Sequence, residues 1–397
     1  MQRLGILVLA VLLVGVLGLA SEPGKLIVWC DETRAPALAE AAQKFTAAYG
    51  VPVEVQEVPF GDIRGNLAVT APTGEGPDVI IGPHDWIGEL IYNGLLEPLV
   101  LPADLLAQFD PASLEAFSWA GELYGLPYAT ECVALIYNKD LVPEPPATFE
   151  ELIEIAKVLT DPEKGQYGFL IQQPDPYHTF PLHSAYGGYV FGATPEGTLD
   201  PCDIGLDNEG SIKGAMLLDR LVKEGIEFAG ADYQTVTGLF NEGLLAMFIG
   251  GPWTLPDIQA AGINYGVAKI PPIEGNIPRP FVGVQGFMIS AFSENRLLAH
   301  MFLKDFLATK EVMLAIYERG QRPPAYLPAL AELADNPDIQ AFAASAADGI
   351  PMPKIPEMGS VWGAWSDALE LIVSQKLGPE EAMKNAAEQI RTLLGCK

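Results

Sequence analysis

Short apolar runs alternate with amphipathic stretches through the first part of the chain. Lys25-Leu26-Ile27-Val28-Trp29 has the run of a strand. Leu38, Ala42, Phe45 and Tyr49 follow at a spacing that shares one helix face, with Gly50 as the stop. Val51 to Val58 alternates apolar with acidic or polar residues, as a half-buried strand does. Asp78-Val79-Ile80-Ile81-Gly82, entered through Gly74, Gly76 and Pro77, is a short buried strand. This strand–helix order predicts a mostly parallel sheet covered by helices.

A second unit starts after Ala134-Leu135-Ile136-Tyr137-Asn138. Thr148 and Glu151 are spaced as a capping box ahead of Leu152, Ile155 and Leu159. Phe169-Leu170-Ile171, Leu244 to Ile249 and Gly283 to Ile289 are further strands. The tail is helical, with Met383, Ala386, Ile390 and Leu393 on one face. The Pro-rich stretch from Ile270 to Pro280 is the expected connection between units. Gln172 to Thr179 is expected as a loop. The 397 residues suggest more than one domain.

Three strand ends carry polar and aromatic residues: Trp29-Cys30-Asp31, Gly82-Pro83-His84-Asp85-Trp86 and Gly250-Gly251-Pro252-Trp253. In open α/β sheets ligands bind beyond the carboxyl ends of strands. Glycines let backbone and ligand approach closely, and an indole stacks on a sugar face or a cation. A tight turn with a core Trp is the competing explanation. Trp362 and Trp365, three apart ahead of Leu369 and Ile372, are equally compatible with a core stripe.

Composition narrows the partners. A net charge of −28 argues against nucleic acid and anionic lipid, and is compatible with neutral or cationic ligands. Residues 1–20 have the form of a cleavable secretory signal, ending Gly18-Leu19-Ala20, with an uncleaved membrane anchor as the alternative. Export permits disulfides among Cys30, Cys132, Cys202 and Cys396, whose pairing spacing leaves open. Cys30 and Cys132 sit in strand-like runs, as buried thiols do. Phosphate-loop, HExxH and GxSxG motifs are absent, and the histidines lack metal-ligand spacing. No metal or cofactor is implied. Asp31, Asp85, Glu131 and Asp175 lie near aromatics or strand ends. Such carboxylates serve glycosidase chemistry, accept from sugar hydroxyls, or pair with amines.

Eight stretches then carry a family resemblance, in order along the chain. They are Gly24 to Trp29, Gly74-Glu75-Gly76-Pro77-Asp78, His84-Asp85, Leu135 to Asp140, Asp175-Pro176-Tyr177, Gly251-Pro252-Trp253 with Pro280 to Val284, and Met352-Pro353-Lys354-Ile355-Pro356. The chain resembles the periplasmic maltose/maltodextrin-binding proteins of ABC importers. The resemblance implies a two-lobed periplasmic-binding-protein fold, each lobe a mostly parallel sheet flanked by helices, hinged around a central cleft. Residues 21–131 with 285–331 would form the N-terminal lobe, and 132–284 with 332–397 the C-terminal lobe. It implies a monomeric, extracytoplasmic protein without catalysis that captures maltose-type oligosaccharides and delivers them to membrane permease subunits.

Carried over by position, Asp31, Thr33, Arg34, Asp85 and Glu131 would be polar contacts of the first lobe. Asp175, Pro176, Tyr177, Trp253 and Trp362 would come from the second, with Met352 at the edge. Trp29, Trp86 and Trp365 are added as neighbouring aromatic surface. Several positions depart from the family. Thr33 replaces a carboxylate, Gly82 and Gly363 replace aromatics, Trp86 and Ser366 replace arginines, and His178 replaces an aromatic. Linkage and chain length therefore stay open, trehalose included. A polyamine-binding protein and a secreted glycoside hydrolase are the alternative functions.

Overall fold

The computed structural model describes residues 24–396, so the expected leader, residues 1–20, lies outside the described residues. Two main sheets organise the chain. The first runs Ile350–Pro351, Phe281–Ser290, Val79–Pro83, Leu26–Cys30, Val53–Glu57, and Leu96–Glu97 and Leu126–Glu131 also pair with Phe281–Ser290. The second runs Tyr265–Ala268, Ala134–Asn138, Leu245–Gly250, Tyr167–Ile171.

Leu26–Cys30 is parallel to both neighbours, as strand–helix–strand order requires. Phe281–Ser290, however, is antiparallel to Val79–Pro83 and to Leu126–Glu131. In the second sheet Leu245–Gly250 is parallel to Tyr167–Ile171, and the other two pairings are antiparallel. The expected mostly parallel sheets are therefore mixed. The reason is topological: the chain passes between lobes along extended strands, and a strand returning from the far lobe meets the first sheet head-on.

Packing shows where the chain crosses. It leaves the first sheet at Glu131 and starts the second at Ala134. It returns along Phe281–Ser290, where Phe281 is buried in the second lobe's core and Val284 and Phe287 in the first lobe's. It crosses again between Leu327–Glu332, whose Ala329 packs in the first lobe, and Pro337–Ala346, whose Phe342 packs in the second. The Pro-rich stretch is not a linker. Ile270 and Ile273 are buried in the second core, and Pro272 O accepts from Phe149 N at 3.0 Å.

Local chemistry sets the element ends. Helix Ala35–Tyr49 stops where Gly50 turns left-handed at φ 70°, its N–H bonding Thr46 O. Thr148 Oγ1 accepts from Glu151 N at 3.1 Å, while the Glu151 carboxylate reaches back to Ala147 N at 2.8 Å, a one-residue-shifted capping box. The last helix, Pro379–Leu394, buries Met383, Ala386 and Ile390, but Leu393 is exposed because the final turn runs past the core. Cys202 and Cys396 form a disulfide that ties this helix's end to strand Leu199–Ile204. Cys30 and Cys132 are buried thiols, each pushed up to about 12 chiefly by burial, so neither is reactive. Among the described residues no helix is long and apolar enough to cross a membrane.

Asp78, fully buried, fastens the first lobe. Its carboxylate accepts from Ile27 N at 2.8 Å, Ser293 Oγ at 2.5 Å and Asn295 Nδ2 at 3.3 Å. It thus joins the first strand to the segment beyond the returning strand. Asp78→Ala leaves these donors buried without this acceptor, and is expected to cost about 3 kcal/mol in urea unfolding. Asp78→Asn, which keeps one acceptor, should cost less. Equal stability of Asp78→Ala and wild type would refute this role.

Candidate ligand-binding cleft

A cavity of about 570 Å³ lies between the lobes. Its first-lobe wall comes from the chain just beyond strand ends, as strand-end chemistry predicts. Asp31, Glu32, Thr33 and Arg34 follow strand Leu26–Cys30, and Asp85 and Trp86 follow Val79–Pro83. Phe60 and Arg64 project from helix Phe60–Thr70. The second lobe contributes Asp175, Tyr177, His178, Tyr233, Trp253, Met352 and Trp362. Glu131 and Gln285, on the paired crossing strands, complete the lining.

Two indoles are placed by the same device. A Cβ on Gly251 would lie 2.0 Å from the Trp253 ring, and one on Gly82 would lie 2.4 Å from the Trp86 ring. Each indole therefore folds back over a side-chain-free position at a strand end. The Trp86 ring occupies the space that a side chain at position 82 would need. Phe60 packs on Trp86 at 5.2 Å between ring centroids, which widens this aromatic wall.

Tyr177 lies in the first turn of helix Pro176–Ser184, not in the expected loop. Asp175 caps that helix, accepting from Tyr177 N at 2.7 Å and His178 N at 3.2 Å. This cap, reinforced by Pro176 at the first helical position, wins over the loop-like composition. The Tyr177 hydroxyl reaches the backbone carbonyls of Glu131 and Phe281, both at 3.3 Å, and so rests on the crossing strands.

Most of the cavity's charges are paired. Asp31 bonds Arg34, whose Nε donates to the Tyr128 hydroxyl at 2.7 Å. Glu131 accepts from Arg322 Nε at 2.7 Å, and Arg322 Nη2 donates to Thr33 Oγ1 at 3.1 Å. Asp175 faces His178 Nδ1 at 3.0 Å, and Arg64 faces Glu89 at 3.0 Å. Burial alone would raise the Asp175 pKa, but His178 and the helix N–H groups outweigh it and hold the carboxyl below its usual value. Asp85 accepts from Trp362 Nε1 at 3.0 Å across the cleft, and burial pushes its pKa up to about 6. Asp85 Oδ1 and Gln285 Oε1 are buried acceptors with no hydrogen-bond partner in the protein.

Three expected site residues lie outside this lining. Trp29 faces the opposite side of its strand from Val28 and Cys30, packed among Ile63, Leu67 and Trp86, with Nε1 bonded to Gln56 Oε1 at 2.8 Å. Strand alternation dictates this. Trp365 is fully buried with Leu369 and Ile372, edge-on to Phe180, while Trp362 alone turns to the cavity. Pro176 is buried and serves the helix start. Asp31, Thr33, Arg34, Asp85, Trp86, Glu131, Asp175, Tyr177, Trp253, Met352 and Trp362 all line the cavity. Sequence reasoning missed Phe60, Arg64, Tyr233, Gln285 and Arg322. Only Gln285 left a signal, as a polar residue inside an apolar strand.

The geometry agrees with known proteins. Residues 40–347 match the family model described as bacterial extracellular solute-binding protein. A galactooligosaccharide-binding protein of Bacillus subtilis (strain 168) is 35% identical, covering 95% of this chain and 91% of the relative. A maltotriose-binding protein of Pyrococcus abyssi is 34% identical, covering 88% of this chain and 78% of the relative. The solved structure of Thermus thermophilus maltotriose binding protein bound with maltotriose superposes with a TM-score of 0.89 at 35% identity. It covers 93% of this chain and all of that one, 100%. With two lobes, a walled cavity at the strand ends and relatives matched over most of its length, this chain belongs to the bacterial extracellular solute-binding proteins.

Proposed function

We propose that this protein captures a short neutral oligosaccharide of the maltodextrin type outside the cytoplasm and delivers it to an ABC importer. One observation carries the reading. Aromatic faces from both lobes (Trp86 and Phe60 against Tyr177, Trp253 and Trp362) surround a cavity in which Asp31, Glu131 and Asp175 are already engaged by protein partners. A sugar presents C–H faces to the rings and hydroxyls to the acceptors, and needs no counter-charge. The relatives named for oligosaccharides support the ligand class.

The lobes are taken as 21–131 with 285–331 and 132–284 with 332–397, closing about the crossing strands on the sugar. The closed form is what the permease would read. The leader is removed on export, which places the mature monomer in the periplasm or its equivalent. No chemistry is required of the site. The polyamine reading is disfavoured because Asp31, Glu131 and Asp175 each already hold a cationic or imidazole partner, which leaves Glu32 and Asp85 as the cavity carboxylates without one. The hydrolase reading is disfavoured because Glu131 has both carboxylate oxygens bonded to protein donors.

Calorimetric titration with maltotriose, maltose, trehalose and galactobiose tests this. Heat with at least one sugar, little changed between low and high salt, is expected. Trp253→Ala should weaken that binding at least tenfold, about 1.4 kcal/mol, without lowering the thermal midpoint comparably. Silence with every sugar, together with a salt-sensitive response to spermidine, would replace the reading.

Asp85 gives a pH signature. Its carboxyl, raised to about 6 by burial, is ionised at pH 8 and loses that charge as pH falls through 6. Affinity should therefore drop between pH 7 and 5, and Asp85→Asn should flatten the profile. Stability has the opposite sign. The folded-state pKa lies above the unfolded value of 3.8, so this group opposes folding above pH 6, by about 3 kcal/mol, and the penalty fades as pH falls toward 4. A wild-type affinity profile identical to that of Asp85→Asn would exclude the carboxylate from binding.

A further inference from the structure

Gln285 sits in the middle of the returning strand, its backbone paired to Pro83 on one side and Ala129 on the other. It is 1% exposed and lines the cavity. Its amide orientation is fixed by chemistry. Nε2 donates to Glu131 Oε1 at 2.5 Å, and the reversed amide would set its oxygen against a carboxylate oxygen. That leaves Oε1 buried with no partner. A buried orphan acceptor destabilises a protein and is uncommon, so its persistence asks for a reason.

Glu131 cannot turn away to release the amide. Its other oxygen is held by Arg322 Nε at 2.7 Å. Arg322 is in turn held by Thr33 Oγ1 at 3.1 Å and sits over the Trp253 ring, 5.6 Å from its centroid. Arg322 follows Gln321 in left-handed conformation at φ 54°, and precedes Pro323, whose carbonyl accepts from Thr130 N at 2.9 Å. The guanidinium is thus pinned beside the strand that carries Glu131. The whole arrangement leaves one neutral acceptor unpaired on a residue that lines the cleft.

We propose that Gln285 Oε1 accepts a hydroxyl of the bound saccharide and sets which hydroxyl pattern is taken, with Glu131 and Arg322 as positioning residues that hold the amide. This rests on the oligosaccharide reading. Both oxygens of Glu131 already accept from protein donors, so the contact at this point of the floor passes to the amide. An acceptor without charge selects a hydroxyl donor and rejects an acceptor or an ether at that position. Its place on a strand shared by both lobes means the contact is kept whichever lobe the sugar meets first.

The test is titration of the mature protein with maltotriose, maltose and a set of monodeoxy maltose analogues. Gln285→Leu is expected to lower affinity for the sugar that binds about tenfold or more, while the sugar-free protein stays folded with a thermal midpoint lowered only by the loss of the donor to Glu131. Gln285→Met keeps the volume and serves if the Leu variant does not fold. Wild type should discriminate against one deoxy analogue, and the Gln285 variants should lose that discrimination, which a merely structural role would not do. Glu131→Gln should also weaken binding, and adding Gln285→Leu to it should cost little more, because the two act as one unit. Unchanged affinity in a folded Gln285 variant, or an equal loss toward every analogue, overturns the inference and leaves the oligosaccharide reading intact. If wild type binds no saccharide at all, both fall.

Discussion

The antiparallel pairing of Leu126–Glu131 with Phe281–Ser290 is the constraint on which the rest depends. One strand takes the chain out of the first lobe and the other brings it back, so their hydrogen bonds form a floor that belongs to both lobes. Everything polar at that floor is fixed relative to it. His84 shows how tightly. Its Nδ1 accepts from Val284 N at 3.1 Å, so Nε2 carries the hydrogen and donates to Met352 O at 3.1 Å. Burial lowers the ring's pKa to about 4, which keeps it neutral in this tautomer at ordinary pH. One imidazole thereby joins the first lobe, the returning strand and the second-lobe segment that carries Met352.

Above this floor the electrostatics follow a single logic. Buried ion pairs contribute little net stability, because desolvation offsets most of their attraction. Their value here lies in geometry. Asp31–Arg34 and Glu131–Arg322 hold side chains at set positions without leaving net charge for a ligand to neutralise. The cavity is lined by aromatic surface, by Glu32 at its open side, and by Asp85 and Gln285, each of which keeps one buried acceptor unpaired. That inventory matches hydroxyl donors on a compact apolar frame. A strongly acidic chain can therefore hold a site suited to a neutral ligand, since three of the cleft's carboxylates, Asp31, Glu131 and Asp175, are held by Arg34, Arg322 and His178.

Much of this was legible in the sequence because strand ends are local. A run such as Leu245–Gly250 followed by Gly251-Pro252-Trp253 states in consecutive residues where a strand stops and which side chain stands beyond it. Period errors were equally local. Trp29 and Trp365 were read as possible cleft aromatics, but strand alternation in one case and the helix stripe in the other turn them inward. Phe60, Arg64 and Arg322 were illegible for a different reason. Arg322 reaches Glu131 across 191 positions of sequence, and nothing near either residue announces the pairing. The mixed sheets were missed likewise, since strand direction after a lobe crossing depends on topology that runs of hydrophobicity do not encode.

The positions that depart from the family pattern carry the last step of the argument. By the resemblance, Gly82 stands where an aromatic is expected and Trp86 where an arginine is expected. Read together in space, they are one exchange, because the Trp86 ring lies where a side chain on residue 82 would stand. Stacking surface is kept while a cation is removed. Phe60 then braces the displaced indole, and Arg34, already paired to Asp31, lies 5.5 Å from the Phe60 centroid. His178 beside Tyr177 keeps a ring edge-on to Trp253 at 5.8 Å while also pairing Asp175. The Gly82–Trp86 exchange preserves ring surface, and His178 keeps a ring while pairing Asp175. A ligand that needed a free cation would not tolerate these exchanges, whereas a neutral saccharide loses nothing by them. The first-lobe wall, more aromatic and less charged, therefore points to the same ligand class as the filled ion pairs below it.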